Sequence, residues 1–185
     1  MTVARVDMLN RQLDIAWALF EYHLDGLDDA LCLWEPEAYC WTVRPDAGGR
    51  WTADWEVPEP DPVPAVTIGW VTWHIGYWWT TTLGHCFKGG APERTEITWP
   101  GGAEAAARWL RGLHREWRTG LAGLGDADLD STDRTAGLPW AAELTMGDVA
   151  GWVNIELTKN VAEIGLLRNM HGARRTAANR TAANR

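Results

Sequence analysis

The chain has 185 residues, 46% apolar and 23% charged, enough for one globular domain with a sizeable core. Its net charge of −8 is uneven: five arginines and no acid occur from Arg168 onward, so the rest carries −13. An acidic body repels nucleic-acid phosphate, no run approaches the ~18 apolar residues of a membrane helix, and no apolar leader follows Met1; the expectation is a cytoplasmic protein with neither nucleic acid nor membrane as partner.

Taken in order, Val6, Leu9, Leu13, Trp17, Phe20, Leu24 and Leu27 recur at three- and four-residue steps and predict a helix over residues 5–30, with His23 at its boundary. Residues 31–66 break that pattern. WTVRPDAGGRW places a Pro-Asp-Ala-Gly-Gly turn between two short extended runs, and VPEPDPVP is a proline strap that cannot be helix. The strap is expected to cross one end of the molecule.

Residues 66–87, Val66 followed by TIGWVTWHIGYWWTTTLGHCF, are apolar or aromatic almost all round and predict the most buried helix, stopped by Lys88-Gly89-Gly90. A third helix spans 104–124, with Ala106, Leu110, Leu113, Trp117, Leu121 and Leu124 as its inward stripe. The fourth runs from 145 to 170 and opens on Thr145-x-x-Asp148, a capping box with Asp in place of Glu. The remaining residues carry TAANR twice and read as a tail, flexible or a frayed helical extension. The pattern therefore predicts an all-α four-helix bundle over residues 1–170, with a Pro/Trp-rich crossover between its first two helices and a basic tail over 171–185.

Two residue types stand out. Cys32, Cys40 and Cys86 are odd in number and lack metal-knot spacing, as expected of reduced thiols packed as small hydrophobes. Fourteen Trp stand against three Tyr and two Phe. Indole on that scale either fills the core or walls a cavity for an aromatic or cationic ligand.

At ~100° per residue, Glu156, Asn160 and Glu163 fall within the apolar arc of the fourth helix, together with Val153, Leu157 and Ile164. A carboxylate there is destabilising unless it is paired or liganded, and Lys159 is the nearest positive partner. On the second helix, His74 faces inward between Trp70 and Trp78. His85 shares that face but lies about 16 Å along the axis, too far for one metal ion to take both.

The segments WALFEYHLDGL, LWEPEAYCWTVRP, WTADWEVPEPDPVP followed by TIGWVTWHIG, and WVNIE with AEIGLLR resemble the actinobacterial branch of DinB/YfiT-like proteins over residues 8–170. The resemblance implies a four-helix bundle, often a homodimer, with a divalent metal such as Zn²⁺ or Ni²⁺ at one end of the core. It also implies thiol-dependent S-transferases and isomerases among the relatives, so a low-molecular-weight thiol is a second implied cofactor. Carried over, the second-helix histidine falls on His74 and the fourth-helix glutamate on Glu156. The histidines implied at 152, 159 and 160 are Trp152, Lys159 and Asn160 here, so a metal on His74 and Glu156 is expected to be weak or lost.

The leading expectation is an enzyme acting on an aromatic or specialised-metabolism substrate by isomerisation, cyclisation or group transfer. His74, Glu156 and Lys159 would be its catalytic residues, and Trp70, Trp78, Trp152, Asn160 and Glu163 would bind the substrate. A metal-assisted S-transferase and a non-catalytic protein that sequesters its ligand are the alternatives.

Overall fold

A computed structural model of the chain describes residues 4–183 and is predominantly helical. No helix among these residues is long and apolar enough to cross a membrane. Helix α1, Arg5–Leu24, buries Leu9, Leu13, Ala16, Phe20 and Leu24. It ends earlier than residue 30 because Asp28 starts a new helix: its Oδ1 accepts from Leu31 N at 2.7 Å and caps α2, Asp29–Cys32.

Four short strands follow: β1 Cys40–Trp41, β2 Val43–Pro45, β3 Trp51–Ala53 and β4 Ala65–Val66. β2 and β3 form the expected hairpin, with Arg44 opposite Thr52. Asp46 Oδ1 closes its turn by accepting from Gly48 N and Arg50 N, both at 2.9 Å, and Gly49 takes the left-handed φ of 79° there. β1 pairs in parallel with β4, Cys40 opposite Ala65, and this pairing returns the proline strap to its starting edge. Sequence periodicity alone carries no sign of that long-range contact.

Helix α3, Ile68–Phe87, begins at Thr67, whose Oγ1 accepts from Trp70 N at 3.1 Å. As its composition predicts, α3 is buried on nearly every side. α4 spans Ala103–Ala122, α5 Asp126–Leu129 and α6 Met146–Ala183. The capping box at α6 forms reciprocally: Thr145 N donates to Asp148 Oδ2 at 3.1 Å, and Asp148 N donates to Thr145 Oγ1 at 3.2 Å.

The four long helices pack in the cyclic order α1, α6, α3, α4. Asn154 Nδ2 donates to Leu9 O and Arg168 Nη1 to His23 O, so α1 and α6 run parallel. Arg111 clasps Glu21 and Arg118 pairs with Asp14, so α4 runs antiparallel to α1. Phe87 and Trp109 press against Gly120 and Gly76, setting α3 parallel to α4 and therefore antiparallel to α6. Trp73, Trp79, Trp99, Trp117 and Phe20 are the largest side chains enclosed in the core.

Helix α6 does not stop near 170. Trp34 packs on His171 with ring centroids 5.1 Å apart, and Arg174 pairs with Glu37 at 3.1 Å while lying 5.3 Å over Trp34. Alanines beyond these contacts favour helix, so the tail is a helical extension as far as Ala183, exposed from Gly172 onward, and residues 184–185 lie outside the described residues.

Candidate functional site

Between the strap, α3 and α6 lies a cleft of about 530 Å³. Helix α3 supplies Trp70 and His74, one turn apart and stacked with centroids 5.0 Å apart. β1 adds Trp41, 5.5 Å from Trp70, and the start of the strap adds Trp55, 6.3 Å from Trp70 and 6.4 Å from His74. Asp54 fixes this corner: its carbonyl accepts from Trp70 Nε1 at 2.8 Å and its carboxylate from Thr42 N at 2.9 Å. Glu56, Glu59 and Val63 of the strap form the rim.

The opposite wall is α6, with Lys159, Asn160 and Glu163. Trp78 Nε1 donates to Asn160 Oδ1 at 3.1 Å, and Asn160 Nδ2 donates to Glu163 Oε2 at 2.9 Å. Asn160 is 1% exposed, so this relay fixes the Glu163 carboxylate from behind. His74 Nδ1 is buried with no hydrogen-bond partner among the described residues. Burial, reinforced by the charge of Lys159, pushes its pKa down to about 4, and the ring is neutral near pH 7.

At ~100° per residue Glu156 falls in the apolar arc of its helix, and a metal shared with His74 requires it to stand opposite that ring. The Glu156 side chain is largely enclosed, 14% exposed, but it is closed onto Lys159 Nζ at 2.5 Å and is not part of the cleft wall. The reason is axial level. Because α6 runs antiparallel to α3, the His74 turn meets Lys159, Asn160 and Glu163, whereas Glu156 falls between the two points where Trp78 touches α6, Trp152 and Asn160. A wheel projection discards this coordinate.

Trp78 supports the wall from behind, and Trp152 packs on Trp78 and Trp140 outside the cleft. Trp41, Trp55, Glu56 and Glu59 were not among the sequence candidates. The Trp55-Glu56 pair at the mouth of the proline strap was the available signal.

The residues present do not fit the implied metal. Among the described residues, no group of three His, Cys, Asp or Glu side chains is placed to hold an ion. Asn160 spends its amide on Trp78 and Glu163, Glu156 is held by Lys159, and a catalytic zinc site needs three protein ligands. The thiols are free, and none is an activated nucleophile: burial pushes Cys32 and Cys86 up to about 12 and Cys40 up to about 11.

A family model described as DinB superfamily matches residues 12–164, which include every residue of the cleft. No curated protein and no solved structure matches the chain significantly.

Proposed function

The chain belongs to the DinB superfamily, and from that premise we propose that it is a four-helix-bundle protein that binds a small, flat organic molecule in this cleft and moves a proton on it. The observation that carries the reading is His74: a neutral imidazole, its Nδ1 buried without a partner, beside two indole faces and across from a carboxylate held in place by Asn160. The ring lines the cleft, where a bound molecule can meet it. His74 accepts or returns a proton as general base or acid, Glu163 steadies the charge that develops, and the Lys159–Glu156 pair sets the field at the cleft wall. Isomerisation or cyclisation needs no more than this from the protein.

Sequestration without chemistry is a second reading. It is favoured by one observation, the low proton affinity of His74, which makes the ring a weak base near neutral pH. Thiol transfer is disfavoured, because an attacking thiolate wants a free cation and Lys159, the ammonium on the cleft wall, is already closed on Glu156.

One experiment separates these. Aromatic fragments are screened by thermal shift, and binders are followed by NMR for product. The enzyme reading expects Trp55→Ala to abolish binding and His74→Asn to abolish turnover while binding persists. Turnover at the unaltered rate in His74→Asn removes the catalytic role, and binding indifferent to Trp55→Ala removes the cleft as the site.

A further inference from the structure

The charge around the cleft is one-sided. Its walls carry three carboxylates, Glu56, Glu59 and Glu163, and a single ammonium, Lys159, which Glu156 neutralises at 2.5 Å. Glu163 differs from the two rim acids in being half-buried and oriented: Asn160 occupies Oε2, and Oε1 has no hydrogen-bond partner among the described residues. Across from it stand the faces of Trp55 and Trp70, rings whose π-quadrupoles attract cations. Trp55 shows this on its own account, since Arg94, which lies outside the cleft, packs its guanidinium 4.9 Å from the ring centroid.

We propose that the cleft selects an organic cation: a protonated amine on a flat hydrophobic body, its ammonium on Glu163 and its body against Trp55 and Trp70. This rests on the small-molecule reading above and adds the charge of the ligand. The Glu163 carboxylate is held by Asn160 before the ligand arrives, so little ordering opposes binding. An anionic ligand of the same shape would meet Glu56, Glu59 and Glu163 on walls whose lining cation, Lys159, is already paired.

The test uses the full chain and three indoles of similar shape and different charge, titrated calorimetrically near pH 7: tryptamine (cation), tryptophol (neutral) and indole-3-acetate (anion). Tryptamine is expected to bind about tenfold tighter than tryptophol, with indole-3-acetate weakest. In Glu163→Gln the tryptamine advantage should shrink to about twofold, with tryptophol affinity unchanged. The ranking is read on the unaltered chain, so it decides the matter even where the variant does not fold. Equal affinity for all three, still lost in Trp55→Ala, overturns charge selection and leaves the small-molecule reading standing. Tightest binding of indole-3-acetate overturns the proposal in favour of Lys159 as the anchor. Failure of all three to bind removes both readings.

Discussion

His74 has an ordinary pKa of 6.5 in the unfolded chain and about 4 in the folded one. Between those values the unfolded chain takes up a proton that the folded chain refuses, so stability that is full above pH 6.5 is lost as pH falls towards about 4. The loss is about 3 kcal/mol for this group. His114, stacked flat on Trp17 with centroids 4.0 Å apart, shifts in the same direction through burial. Urea unfolding at pH 7 and pH 5 should therefore show a fall in stability, and His74→Gln should remove part of the difference. Asn160 poses a second residue-scale question. Asn160→Leu strands the buried Trp78 N–H and frees Glu163, and is expected to cost about 1–3 kcal/mol in urea unfolding. Equimolar Zn²⁺ or Ni²⁺ should leave Tm unmoved, because the donor set lacks a third ligand. Legibility at this scale was divided. The inward-facing His74, the polar breach at 160 and 163 and a Lys159 pair with Glu156 or Glu163 were readable from ~100° steps along two helices. The level at which the two helices meet was not, and Glu156 was placed across from His74 for that reason.

Among the elements, α3 shows how a glycine permits a helix contact. A Cβ on Gly76 would enter the ring of Trp109 on α4, so Gly76→Ala should force the helices apart and destabilise by about 1–3 kcal/mol despite its better helix propensity, measurable as a lower denaturant midpoint at constant slope. The start of α6 offers the opposite case, a wholly local device. Asp148→Ala removes one half of the capping box and is expected to cost about 1 kcal/mol. That box was legible because its partners lie three residues apart. The end of α1 was not, because Gly26 and the Asp28 cap compete with a hydrophobic period that reaches Leu27. The strap was recognised from its prolines, but its role as a cleft wall depends on β1 pairing with β4 across some two dozen residues.

On the scale of the whole molecule, α6 extends past the packed body. Residues 176–183 are exposed, whereas His171 and Arg174 are tied to Trp34 and Glu37. Truncation after Arg175 should lower helical ellipticity with little change in Tm, whereas truncation after Met170 should lower Tm as well, since it removes the Arg174–Glu37 pair and the packing on Trp34. Circular dichroism during a thermal scan reads both. The amino-acid order by itself determined the long helices, the capping box at Thr145 and the interruption by proline, because those depend on spacings of a few residues and on the 3.6-residue turn. Only the tertiary structure decided that Trp41 and Trp55 come to wall the His74 cleft and that Glu163, not Glu156, is the α6 carboxylate in its wall. Those outcomes depend on strand pairing and helix register between distant segments, which local periodicity leaves undefined.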